Sequence, residues 1–178
     1  DLFRWLDETA ARPEQQILYR TVDRLPMTEF PTPAYRLIDV RQYLLGCVQY
    51  SSGCPFTCEF CDIPALYGRN PRLKSPQQIQ LELDELADGG TPSIYFVDDN
   101  FIAHKRGVRE LLPHLIDWQK RNRYPFSIAC EATLNIAKRP ELLAMMARGV
   151  SVIVGSRDAA LRPSLMRAVG SRVEQEGA

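Results

Sequence analysis

Short apolar runs alternate with amphipathic stretches four times between residues 47 and 154. Cys47-Val48-Gln49-Tyr50, Ile94-Tyr95-Phe96-Val97, Phe126 to Cys130 and Val150 to Val154 each read as a strand. Ser75-Pro76 predicts a helix start, with serine as N-cap and proline in the first helical position. Ile79, Leu83, Leu86 and Ala87 then recur at helical spacing, and Gly89-Gly90 predicts the stop. Val108, Leu111, Leu112, Leu115, Ile116 and Trp118 mark a second helix. Pro140 to Arg148 reads as a third, closed by Gly149. Strands alternating with helices imply parallel strands joined by right-handed crossovers. The strands read as near-continuous apolar runs, as expected when helices cover them. Four units are too few for a closed eight-fold barrel. The expected fold is α/β, a partial (β/α) barrel of about four parallel strands with helices on the outside. A doubly wound sheet is the competing architecture.

The flanks are less regular. Leu2, Phe3, Trp5 and Leu6 suggest a short helix, and Ile17, Leu18, Tyr19 and Val22 an extended piece. Leu25-Pro26 and Phe30-Pro31-Thr32-Pro33 break regular structure and read as a linker. A domain boundary is expected near Tyr43. Residues after Gly155 are polar and weakly patterned, with at most a short helix. The chain starts at Asp1 rather than at a methionine, so a fragment or processed chain is expected. Lys+Arg 22 balance Asp+Glu 22, which gives no general attraction to nucleic acid or anionic membrane. No apolar run approaches the ~20 residues of a membrane span, and no signal peptide is visible, so a cytoplasmic setting is expected.

Five cysteines are present, and three fall in one loop: Cys54-Pro55-Phe56-Thr57-Cys58-Glu59-Phe60-Cys61. In a chain without secretion signals such a cluster reads as metal binding or catalysis. Three thiolates can hold three corners of a 4Fe–4S cube, leaving the fourth iron open to cofactor or substrate. Gly53 lets the chain turn sharply before the first cysteine. A zinc knot is the alternative, and its fourth ligand would come from Cys47, Cys130, His104 or His114.

The C-x3-C-x2-C spacing, with an aromatic before the third cysteine, resembles the radical S-adenosylmethionine (SAM) superfamily. Val48-Gln49-Tyr50-Ser51-Ser52-Gly53, Cys61-Asp62-Ile63, Tyr67-Gly68-Arg69 and Phe96-Val97-Asp98-Asp99-Asn100-Phe101 extend the likeness. This wider pattern, over roughly residues 25–155, is similar to the cobalamin-dependent radical SAM group of hopanoid and bacteriochlorophyll methylases. The resemblance implies that Cys54, Cys58 and Cys61 ligate a 4Fe–4S cluster whose open iron chelates SAM. It implies reductive cleavage of SAM to methionine and a 5′-deoxyadenosyl radical. A flavodoxin or ferredoxin would be the reductant, and a small-molecule or lipid-like substrate the target.

The resemblance also implies that Phe60 sits beside the adenine, with packing under the loop as the alternative. The remaining site residues follow from position. Asp98, Asp99 and Asn100 end the second strand, where ligands gather in such folds, and would accept hydrogen bonds from the SAM ammonium. The alternative is a turn capped by Asn100. Glu131 ends the third strand and would reach the SAM ribose hydroxyls, or make a surface salt bridge. Arg69, Arg72 and Lys74 would balance the cluster or the SAM carboxylate, with solvated loop charge as the plainer account. His104 and His114 read as structural or surface residues, and Cys47 and Cys130 as buried thiols in strands.

Two features depart from the resembled group. Only about forty residues precede the cluster strand, so a complete cobalamin domain is not expected here, although Pro31, Pro33 and Tyr35 look like that group's linker. Gly155-Ser156-Arg157 stands where relatives show Gly-Ile-Glu. The expected organisation is a linker and domain remnant over 1–42, a partial radical SAM-type barrel over 43–157, and an irregular tail over 158–178. By resemblance, the function is radical SAM methylation of an unactivated carbon on a lipid- or tetrapyrrole-like substrate. The alternatives are a non-catalytic cluster-binding fragment and a zinc-stabilised module.

Overall fold

The computed structural model describes residues 23–148 and the strand at 151–153, with Asp7 and Ala10 as isolated positions. The expected elements at residues 2–6 and 17–22, Gly149, the Gly155-Ser156-Arg157 stretch and the tail lie outside these.

Four parallel strands form one sheet: β1 (Gly46–Val48), β4 (Ser93–Phe96), β5 (Ser127–Glu131) and β6 (Ser151–Ile153), in that spatial order. The apolar runs locate all four to within a residue or two. A two-residue antiparallel ladder, β2 (Ser51–Ser52) with β3 (Arg72–Leu73), lies beside it. The helices are α1 (Ile63–Leu66), α2 (Pro76–Asp88), α3 (Lys105–Arg121) and α4 (Pro140–Met146). Strand order steps in one direction, so right-handed crossovers place α2, α3 and α4 on the same side. A doubly wound sheet would need that direction to reverse. The result is the partial barrel.

This one-sided arrangement corrects the expectation that the strands are covered apolar runs. Val48, Ile94, Phe96, Ile128 and Cys130 are buried in the core with the helices. Their neighbours Cys47, Val97, Ser127 and Glu131 point to the other, concave face and are exposed. Side chains alternate across a strand, so a sheet covered on one side must show this period of two. Cys47 is therefore exposed rather than buried as expected, while Cys130 is buried as expected.

The helices start and stop as their sequences require. Ser75 accepts the Gln78 amide at 3.2 Å, and the Gln78 side chain accepts the Ser75 amide at 2.9 Å, a complete capping box for α2. Gly90, past the end of α2, adopts φ +77°. His104 caps α3, its Nδ1 accepting the Gly107 amide at 3.0 Å. The α3 face of Val108, Leu111, Leu112, Leu115 and Trp118 is fully buried, and Trp118 stacks on Phe126 with centroids 5.2 Å apart.

Lys74 is not the solvated loop charge expected of it. Its ammonium lies 2.5 Å from Glu82, with side chains 6% and 2% exposed. Tyr35 donates its hydroxyl to the Cys47 carbonyl at 2.8 Å and lies 3.2 Å from Glu82. Burial, and then Glu82, pushes the Tyr35 phenol up. The stretch read as a linker thus docks on the sheet and α2 through short 3-10 turns at Met27–Glu29, Tyr35–Leu37 and Val40–Gln42, with Met27 and Val40 buried.

Candidate functional site

The cysteine loop leaves the sheet after β1 and returns through β3. The β2–β3 ladder closes its base, and Lys74 donates its amide to the Tyr50 carbonyl at 2.9 Å. Higher up, the Cys54 amide donates to the Gly68 carbonyl at 3.0 Å. Gly53 adopts φ +104°, and a Cβ there would come 2.8 Å from the Gly68 carbonyl oxygen. Only glycine fits this crossing. Cys54 and Cys61 are half-buried and Cys58 is exposed; all three are free thiols. Burial pushes the Cys54 thiol up, a hydrogen bond from the Phe56 amide opposes it, and the charges of Cys58, Cys61 and Asp99 add to the rise.

The end of β4 grips the start of this loop. Asp98 is 5% exposed, and its carboxylate accepts the amides of Ser51 and, at 3.3 Å, Tyr50. Burial raises its carboxyl to about 6, with the Ser51 and Tyr50 hydrogen bonds pulling down and the Asp99 charge pushing up. Asp99 accepts the Gly53 amide at 2.9 Å through Oδ2. Asn100 is buried, and its Oδ1 accepts the amides of Ile102 at 3.3 Å and Thr133 at 3.4 Å. Asn100 thus bonds both its own turn and the chain just after β5.

Phe60 is 91% exposed, which leaves no room for packing under the loop. Glu131 stands exposed at the end of β5. Tyr95, on the same concave face, has its phenol raised to about 12 by burial first and then by the hydrogen bond and charge of Glu131. The structure thus brings Asp98 and Asp99 to the cysteine loop, places Glu131 at the neighbouring strand end, and ties Asn100 to Ile102 and Thr133.

A cavity of about 320 Å³ opens at these strand ends. Gln49, Ser52, Val97 and Asp99 form one side, and Met27 and Phe30 from the upstream segment the other. Among the described residues no three or more His, Cys, Asp or Glu side chains are gathered as a ready metal cage. The candidate fourth zinc ligands are dispersed: His104 caps α3, His114 lies within α3, Cys130 is buried on the covered face, and Cys47 lies on the concave face. Three thiols in one short loop are the donor set that a 4Fe–4S cluster takes.

Sequence reasoning missed Lys74–Glu82, Tyr95 and Arg24. Glu82 carried a legible signal, because it falls on the same helical stripe as Ile79, Leu83 and Leu86. Tyr95 and Arg24 act through partners 36 or more residues away, which local pattern does not reveal.

The sequence profile of the radical SAM superfamily matches residues 48–169. The chain is 58% identical over 142 residues to a hopanoid C-2 methylase of Rhodopseudomonas palustris, covering 79% of this chain and 27% of that protein. It is 44% identical over 140 residues to an uncharacterized methyltransferase of Synechocystis, covering 78% and 26%. The chain thus spans about a quarter of the length of these relatives. Among solved structures it resembles the cobalamin-dependent SAM radical enzyme OxsB, with a TM-score of 0.67 at 18% identity over 97% of this chain and 29% of that one. It also resembles the radical SAM methyltransferase TsrM of Kitasatospora setae, with a TM-score of 0.61 at 20% identity over 82% and 28%. These likenesses speak for the same partial barrel. With its cysteine loop, strand-end carboxylates and matched profile, this chain belongs to the radical SAM superfamily.

Proposed function

We propose that this chain is the cluster- and SAM-binding part of a cobalamin-dependent radical SAM methylase acting on an unactivated carbon of a lipid-like substrate. The observation that carries the reading is the Cys54–Cys61 loop. It holds three free thiols at the carboxyl end of a parallel sheet, pinned by Asp98 and Asp99. When bound, a 4Fe–4S cluster supplies the electron that cleaves SAM to methionine and a 5′-deoxyadenosyl radical. Cys54, Cys58 and Cys61 ligate iron. Asp99 spends Oδ2 on Gly53 and offers Oδ1 to the SAM ammonium, whereas both Asp98 oxygens are taken by backbone amides. Phe60 presents its open ring to the adenine. Glu131, steadied by Tyr95, accepts from the ribose hydroxyls. The concave face, which the described residues leave uncovered, receives the substrate.

Support for a lipid-like substrate comes from the hopanoid methylase relative, and support for cobalamin from the solved neighbours. A flavodoxin or ferredoxin is the proposed electron donor. Among the described residues no helix is long and apolar enough to cross a membrane. Anaerobic reconstitution tests the reading: about four irons and four sulfides should bind per chain. Adding SAM to the reduced cluster should change its electron paramagnetic resonance spectrum. A colourless zinc protein, or a spectrum indifferent to SAM, would sink it.

A further inference from the structure

We propose that Arg24 is a positioning residue for the cysteine loop, tying its far end to the upstream Arg24–Phe30 segment. The short helix α1 begins two residues after Cys61 and is only four residues long. Such a helix cannot satisfy its own last carbonyls and is marginal alone. Arg24 supplies the missing donors. Its Nη2 donates to the Ala65 carbonyl at 3.0 Å and the Leu66 carbonyl at 3.1 Å, and its Nε donates to Leu66 at 3.3 Å. The guanidinium also lies over Gly68, where a Cβ would come 3.5 Å from Arg24 Nη1. Gly68 is the residue whose carbonyl holds the Cys54 amide. One cation therefore touches the chain just after the third cysteine and the glycine that anchors the first.

The segment carrying Arg24 is itself fastened. Arg72 in β3 donates Nη1 to the Leu25 carbonyl at 2.5 Å and Nη2 to the Ser52 hydroxyl at 3.0 Å. The Gln78 side chain donates to the carbonyls of Met27, Thr28 and Phe30 at 3.2, 3.3 and 3.0 Å. These bonds run from the segment to β3 and α2, so Arg24 links the cysteine loop to an anchored stretch of chain. Charge-assisted, forked donation also makes arginine hard to replace with lysine.

The inference rests on the cysteine reading only for what the loop holds. The test is amide hydrogen exchange of the full chain, metal-free, as wild type, Arg24→Ala and Arg24→Lys, followed by iron release from the reconstituted proteins to a chelator. Arg24 is exposed, so its loss leaves the core intact. Arg24→Ala should speed exchange at residues 62–68 about tenfold, as expected for lost hydrogen bonds to a charged group, with α3 unchanged. Iron release should quicken several-fold, and Arg24→Lys should restore only part of each. Unchanged exchange at 62–68, or a rise shared equally by α3, overturns the proposal. So does a loosened loop that releases iron at the wild-type rate. If wild type binds no iron, the cysteine reading fails while exchange still decides the role of Arg24 in the loop.

Discussion

The Asp99 carboxylate accepts the Gly53 amide at 2.9 Å, one residue ahead of the first cysteine. The end of β4 and the start of the cysteine loop are therefore one mechanical unit. A carboxylate proposed to meet SAM also sets the backbone that presents a ligand thiol.

Asp99→Ala should weaken both functions. Losing a hydrogen bond to a charged group costs about 1.5–3 kcal/mol, roughly ten- to a hundredfold in SAM affinity. Titration of SAM into the reconstituted protein measures it. Asn100→Ala acts differently, because the Asn100 side chain bonds its own turn at Ile102 and, across the sheet, Thr133 after β5. It should lower the unfolding midpoint first and SAM affinity only through that loss.

Asp98 makes stability depend on pH in an unusual direction. Its carboxyl rises from the ordinary 3.8 to about 6 on folding, mainly through burial. The folded chain then keeps a proton that the unfolded chain releases between these values. The contribution of Asp98 to stability is greatest below pH 4, falls as pH rises through 6, and levels off above, a change of about 3 kcal/mol. Urea unfolding of wild type and Asp98→Asn from pH 4 to 7 isolates it. The wild-type advantage should shrink over that window, and a constant difference would contradict the assignment.

The buried Lys74–Glu82 pair should be costly to break singly. Lys74→Met or Glu82→Leu leaves one charge buried alone, worth about 3–5 kcal/mol, while the double variant should recover much of the loss. Urea midpoints of the four proteins give the coupling. Tyr35→Phe, which removes the bond to the Cys47 carbonyl, should cost about 1 kcal/mol.

Thiol reactivity should sort the five cysteines. Burial first, then the Asp98 and Glu131 charges, raise the Cys130 thiol to about 12, so it should alkylate slowest in the native metal-free chain at pH 8. Exposed Cys47 and Cys58 should react fastest. Loading iron should protect Cys54, Cys58 and Cys61 and leave Cys47 reactive, as read by mass spectrometry. Protection of Cys47 would indicate a fourth thiolate ligand.

Phe60→Ala separates cofactor binding from folding. An exposed side chain contributes within about 0.5 kcal/mol to stability, so the unfolding midpoint should hold. SAM affinity should fall several-fold. Unchanged SAM affinity would remove Phe60 from the cofactor site.

Much of this architecture was legible because its signals are local. Ser75-Pro76 with Gln78 specifies the start of α2 within four residues, and Val108 to Trp118 declares a buried face by spacing alone. The Cys54–Cys58–Cys61 spacing and the strand-end position of Asp98, Asp99 and Glu131 are likewise readable along the chain. Tertiary structure decided what distant residues do to one another. Whether Cys47 is buried depends on which sheet face the helices cover, and that follows from the direction in which the strands step. Whether Lys74 is solvated depends on Glu82 arriving from α2. Asp98 and Asp99 stand side by side in sequence and both bond the start of the cysteine loop, but they differ in accessibility: Asp98 is enclosed with both oxygens bonded, while Asp99 opens on the cavity. Linear sequence records which groups are present and their local periodicity. Burial and pairing, which set charge state and hydrogen-bond partners, arise only when segments dozens of residues apart meet.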